Sequence, residues 1–166
     1  ADYTFYSMNG YEVTTTPSPG ATCVLTIIHR DSGYPFASTV LRKGPWPYIV
    51  AAAANFVKRT QVITGTLRGD AEPALMSCLK AVEAALLESG RKFSTDSAHI
   101  GSHQSIGSAE KHHDIVGGFA RTLYSVVKEN SGYIIHPKTR LFSWLVRFAA
   151  FLTAVFHRRK DGMTSY

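Results

Sequence analysis

The chain has 166 residues, enough for one domain with a substantial buried core. Hydrophobic residues make up 45% and charged residues 18%, a globular balance that excludes a disordered chain. The net charge of +6 suggests an anionic partner, nucleic acid before membrane surface, against the plainer reading of a merely basic surface. Only Cys23 and Cys78 occur, both in apolar runs and with no CxxC or His-x-x-His pattern. They read as reduced core thiols in a reducing compartment, with no support for a zinc site.

Ala1 to Ser7 alternates aromatic and polar residues and predicts a strand. Asn9-Gly10 marks a turn, and Pro17, Pro19 and Gly20 mark a loop. The β-branched run Ala21 to His29 predicts a central strand, Arg30 to Gly33 a hairpin turn, and Tyr34 to Leu41 the returning strand. Asp31 is accordingly a turn former. Lys43-Gly44-Pro45 breaks the chain, and Pro47 starts a helix running to about Arg59. Gln61 to Leu67 predicts a fourth strand bounded by Gly69, with Asp70 just past its end. Pro73 opens a helix that stops at Gly90. Arg91 to Ser94 predicts a brief fifth strand, and Thr95 to Ser108 a polar loop.

Two helices complete the chain, separated by Asn130-Ser131-Gly132 and Pro137. The first carries Glu110 in about its first turn. In the second, Leu141, Trp144, Leu145, Phe148, Phe151, Leu152 and Val155 recur at helical spacing, a broad apolar face suited to a core or a partner. That run is short for a membrane span and holds Arg147 at its middle, and nothing at the start of the chain reads as a signal peptide. Three strands close in sequence suit an antiparallel meander, and the later strands, reached through helical crossovers, should pair parallel. The expected architecture is an α/β mixed sheet of five strands with helices on both faces.

Three acids stand out: Asp2 in the opening strand, Asp70 at a strand end, and Glu110 near a helix start. If the first and fourth strands are neighbours, Asp2 and Asp70 lie side by side, and a helix beginning near that edge adds Glu110. Such carboxylates suit two hard divalent cations about 4 Å apart, one activating an attacking oxygen and the other stabilising a leaving one. Each acid also has a plainer reading. Asp2 is a surface acid on an edge strand, Asp70 caps the next helix, and Glu110 is an acid favoured by a helix start. Asp114 is a weaker substitute ligand. His103 and Gln104 fall in the polar loop, as DNA contacts or solvated residues. His112 and His113 are adjacent, so they point apart on a helix and read as surface or DNA contacts rather than as a metal pair. Arg68 and Lys43 are either phosphate contacts or solvated charges.

The stretches ADYTFYS with Asp2, LRGDAEPAL with Asp70, HQSIGSAEKHH with Glu110, and the closing FSWLVRFAAFLTAVFHRRKDGMTSY resemble the catalytic core of a retroviral-type integrase, more closely that of a copia-like retrotransposon. The resemblance implies an RNase H-like fold over residues 1–157 and an exit segment over 158–166. It implies a catalytic and metal-binding D,D,E set of Asp2, Asp70 and Glu110 holding two Mg2+ or Mn2+ ions. It also implies 3′-end processing of element DNA, strand transfer into target DNA, a homodimer or higher multimer paired through helices, and a nuclear location if the element is eukaryotic. Related members often carry lysines one and two turns beyond the glutamate, where this chain has Asp114 and Gly117. Its own candidate DNA contacts are therefore Lys111, His112, Arg121 and Lys128, with His103 and Gln104. The chain opens at its first acid and lacks a zinc module and a small terminal barrel, which suggests an excised core. Two alternatives stay open: an RNase H-like nuclease that uses water only, and a non-catalytic, dimerising DNA-binding core.

Overall fold

A strand buried on both faces reads as a nearly continuous apolar or aromatic run. The computed structural model of the chain contains two such strands, β1 (Asp2–Tyr6) and β3 (Thr22–Ile28). The structure describes residues 1–6, 13–14, 21–98 and 103–166, the side chains of 13–14 and 103–110 excepted. The expected turn at Asn9-Gly10 and the loop at Pro17 to Gly20 lie outside the described residues.

β1 runs antiparallel to β3, with Asp2 opposite Thr26 and Tyr6 opposite Thr22. β3 turns through Arg30 to Gly33 and pairs with β4 (Pro35–Val40), Cys23 opposite Val40. A two-residue β2 (Val13–Thr14), not expected from the sequence, pairs with Phe5 and Tyr6 on the other edge of β1. Then follow α1 (Pro47–Arg59), β5 (Thr64–Gly69), α2 (Pro73–Leu87), β6 (Lys92–Ser97), α3 (His103–Ser131) and α4 (Arg140–Phe156). Pro47 and Pro73 open their helices as expected, where the missing N–H costs nothing. Gly90, at φ +77°, follows the end of α2, and the Arg91 N–H closes the turn onto Leu86 O.

Strand alternation sends side chains to two separate cores. Tyr3, Phe5, Cys23, Leu25 and Ile27 pack with α1 and α2. Tyr6, Val24 and Ala37 pack on the other face with Val116 and Ala120 of α3 and Phe142, Leu145 and Val146 of α4. The result is helix, sheet, helix, with β1 and β3 in the middle layer.

Four sequence expectations are corrected. The strands form a four-stranded sheet, β2-β1-β3-β4, and a separate parallel pair, β5-β6, rather than one five-stranded sheet. Ala1, just before β1, meets β5 through its amine and Arg68 O at 2.6 Å, and among the described residues no ladder joins β1 to β5. Beyond Ala1 a cavity of about 390 Å³ lies between Ile27 and Ile28 on one side and Thr66 and Arg68 on the other. β5 also starts later than Gln61, because Gln61 takes a left-handed φ of 61° in the turn that ends α1. β6 extends to Ser97 and α3 begins at His103, so much of the expected loop from Thr95 to Ser108 is regular structure, and Glu110 is not in the first turn. Finally, the buried face of α4 is Phe142, Leu145, Val146, Ala149, Ala150, Thr153 and Ala154. Of the seven large residues expected on a face suited to a core or a partner, only Leu145 lies in this core-facing set. Small side chains let α4 lie close to α3 and β4, and this turns Trp144 (55% exposed) and Phe151 (44%) outward. Among the described residues no helix is long and apolar enough to cross a membrane.

Burial raises the Cys23 thiol to about 12 and the Cys78 thiol in the same direction, and both cysteines are free and buried. Because the thiolate is the nucleophile, neither should react with iodoacetamide at pH 8 in the native protein, and both should react once the chain is unfolded in guanidinium. Mass spectrometry of the alkylated chain checks this; rapid native labelling at either position would contradict the two-core packing.

Candidate active site

Asp2 stands at the head of β1, on the same side of the sheet as Thr4 and Tyr6 and so on the α3 side. Its Oδ1 accepts the Tyr3 N–H at 2.6 Å. Its Oδ2 lies 3.5 Å from Nε2 of His113, a residue only 2% exposed on α3. The His113 ring is held from behind by Thr4, whose Oγ1 is 3.1 Å from Nδ1. Thr26, directly across the ladder from Asp2, has a buried Oγ1 with no hydrogen-bond partner among the described residues. Asp2 itself keeps 23% of its side chain exposed, so the carboxylate is gripped without being closed off.

Asp70 follows directly on β5. Its position depends on Gly69, where a Cβ would stand 2.8 Å from Leu75 Cδ2 and 3.0 Å from Leu79 Cδ1. Glycine lets the strand end lie against α2. Asp70 is exposed and, among the described residues, accepts only the Ala71 N–H, at 2.7 Å. It is not the cap of α2, since the capping position is Glu72 and no side-chain cap bond forms there.

The Ala1 amine, one residue before Asp2, bonds to Arg68 O, two residues before Asp70, at 2.6 Å, which brings the start of β1 to the end of β5. The Ala1 amine is pushed down to about 6 by burial, with the Asp2 carboxylate pulling the other way.

Glu110 is the eighth residue of α3, and no acid lies in that helix's first turn, so it is not a helix-start acid. Its side chain lies outside the described residues, as do those of His103 and Gln104, which occupy the opening of α3 rather than a loop. Among the described residues no group of three acidic, histidine or cysteine side chains forms a metal cluster. The residues present still fit a hard cation. Asp2 and Asp70 supply carboxylate oxygens of the required type, one partly exposed and one exposed, and buried polar atoms beside Asp2 are incompletely satisfied.

Lys111, Asp114, Arg121 and Lys128 share one exposed face of α3, opposite the buried His113, Val116 and Ala120. Burial raises the Tyr6 hydroxyl against the lowering effect of Arg121, which ties that arginine to this part of the molecule. His112 is half-buried. Lys43 and Arg68 are both engaged. Lys43 reaches both oxygens of Glu72 at 2.7 and 2.8 Å, and Arg68 pairs with Asp96 at 2.7 Å across β5-β6. Sequence reasoning misread His113, which is buried against Asp2 rather than at the surface. The available signal was its spacing three residues after Glu110, which assigns the two positions to one side of the helix.

No protein-family profile matches the sequence, and no curated protein matches it. Solved structures do match. The HTLV-2 integrase catalytic core domain in complex with magnesium, in its trimeric form, aligns with a TM-score of 0.60 over 99% of this chain and 92% of that one at 14% identity. Its dimeric form aligns with a TM-score of 0.58 over the same shares, also at 14% identity. A chain of the simian T-cell lymphotropic virus intasome in complex with PP2A regulatory subunit B56 gamma aligns with a TM-score of 0.66 at 11% identity, over 99% of this chain and 52% of that one. The chain therefore has the fold of a retroviral integrase catalytic core.

Proposed function

We propose that the chain is the catalytic core of a DDE polynucleotidyl transferase of the integrase type, from a copia-like element. The observation that supports this reading is the Ala1 to Arg68 hydrogen bond, which brings the start of β1 to the end of β5 that precedes Asp70, while α3 runs past Asp2 with His113 three residues beyond Glu110. Asp2, Asp70 and Glu110 are the catalytic acids and would hold two Mg2+ or Mn2+ ions. Bound there, the ions activate the attacking oxygen and stabilise the leaving one. Asp2 is the oriented ligand, pinned at Oδ1 by backbone, and Asp70 is the free one, able to adjust to substrate. The HTLV-2 cores in complex with magnesium and the simian virus intasome support the same class of chemistry.

DNA is the proposed partner. Lys111, Arg121 and Lys128 form a cationic face on α3 that starts beside the Glu110 position, and such residues contact phosphates irrespective of sequence. His103, Gln104 and His112 complete the proposed contacts. Asp114 on the same face sets this chain apart from members with lysine there, and a lysine introduced at that position should strengthen DNA binding.

The chain is also proposed to dimerise through α4. Trp144, Phe148 and Phe151 stack at 4.9 and 6.1 Å along its outer side, and Phe151 meets Tyr166 edge-on at 6.1 Å. A continuous aromatic row on an outer helix usually marks an interface, and two-fold pairing is the commonest arrangement.

Asp70→Asn should abolish magnesium-dependent joining of a recessed 3′-OH DNA donor to target DNA, by well over ~100-fold, since even residues that only support ligands contribute 10- to 100-fold. Because Asp70 is exposed and bonds only to its neighbour, stability should change by less than about 0.5 kcal/mol. A strand-transfer gel and a thermal melt check both. Full joining by the variant would refute the site, and cleavage by water without joining in the wild type would favour the nuclease alternative.

In sedimentation at micromolar concentration the wild type should exceed the 18.2 kDa of one chain, and Trp144→Glu should return it to that mass. A concentration-independent monomer in the wild type would remove the dimer.

A further inference from the structure

Every neutral imidazole has one donor and one acceptor nitrogen, and a buried one is oriented by what each faces. His113 is 2% exposed, with Thr4 Oγ1 3.1 Å from Nδ1 and Asp2 Oδ2 3.5 Å from Nε2. Nε2 is buried and has no hydrogen-bond partner among the described residues. A nitrogen without accessible surface has no room for an ion, so His113 is not itself a ligand. What it faces is the one oxygen of Asp2 that the Tyr3 N–H does not hold.

We propose that His113 is a positioning residue that fixes the Asp2 carboxylate for cation binding. The proposal rests on the metal-site reading above. A carboxylate accepts and does not donate, so the nitrogen facing it must be the N–H. The tautomer is therefore Nε2–H, with Nδ1 accepting from the Thr4 hydroxyl, which is free to rotate into that role. At 3.5 Å the Nε2 to Oδ2 contact is longer than a formed hydrogen bond. Such contacts in unloaded sites commonly tighten when the site is filled. The chain Thr4, His113, Asp2 belongs to β1 and α3 alone, so it ties the Asp2 side chain to the helix that carries Glu110. An outer-shell partner that orients a ligand governs affinity as well as geometry.

Two measurements on the full chain test this. Long-range proton–nitrogen NMR on the wild type reads the His113 tautomer. The expected signal is a protonated Nε2 with Nδ1 as acceptor; an Nδ1–H donating to Thr4 overturns the proposal. Mn2+ titration by calorimetry then compares wild type, His113→Phe, His113→Gln and Asp2→Asn, with near-UV circular dichroism confirming the fold of each. His113→Phe keeps the bulk without a donor and should weaken Mn2+ binding about tenfold or more, whereas His113→Gln, which keeps a donor, should stay within about threefold of wild type. In an Asp2→Asn background, His113→Phe should cause no further loss, because the residue acts only through Asp2. Wild-type affinity in His113→Phe, with Asp2→Asn impaired, defeats the positioning role and leaves the metal site standing. Unchanged affinity in Asp2→Asn defeats both. If His113→Phe does not fold, the tautomer measurement decides alone.

Discussion

The burial of β1 on both faces is the constraint on which the rest of the structure depends. Tyr3 and Phe5 enter the core under α1 and α2, and Thr4 and Tyr6 enter the layer under α3 and α4. Side chains alternate with a period of two, so a slip of one residue would exchange the two sets. Each large side chain in its proper core contributes on the order of 1.5–3 kcal/mol. Asp2 contributes little to that energy. It is carried to the α3 side of the sheet because its neighbours in the strand cannot be accommodated any other way.

The second acid is positioned by a different device. β5 ends against α2 through Gly69, and Asp70 projects from the first residue past that close approach. The two carboxylates differ in character. Asp2 is partly enclosed and bonded to its own backbone, with His113 behind it, and Asp70 stands in solvent. A held acid and a solvent-facing one would suit the proposed cation site, where one ligand is oriented and the other can adjust. In the proposed reading the long α3 carries both Glu110 and an outward cationic face.

Much of this was legible in the sequence where local and tertiary preferences agreed. The β-branched run of β3, its hairpin to β4, and the proline-started helices α1 and α2 follow from short-range rules. Legibility failed where the deciding contact was distant. The polar stretch before Glu110 carries no apolar period, yet it is helical from His103 because it continues a helix anchored at Val116 and Ala120. The large residues of α4 look like a core stripe by spacing, but the core accepts its small side chains, Ala149, Ala150 and Ala154, because they permit close packing. At the site, the strand-end position of Asp70 was readable, whereas the partnership of His113 with Asp2 was hidden by its neighbour His112. Two adjacent histidines suggest a surface pair until the phase of the helix is known.

The central claim is that Asp2, Asp70 and Glu110 converge on shared cations. A crystal structure of the chain soaked in Mn2+, with anomalous scattering to locate the metal, measures this directly. The account predicts metal density in contact with Asp2 and Asp70 carboxylate oxygens at about 2.0–2.6 Å, with Glu110 completing the site from α3. Metal bound elsewhere, or Glu110 turned to a different face from Asp2 with the cations present, would contradict it.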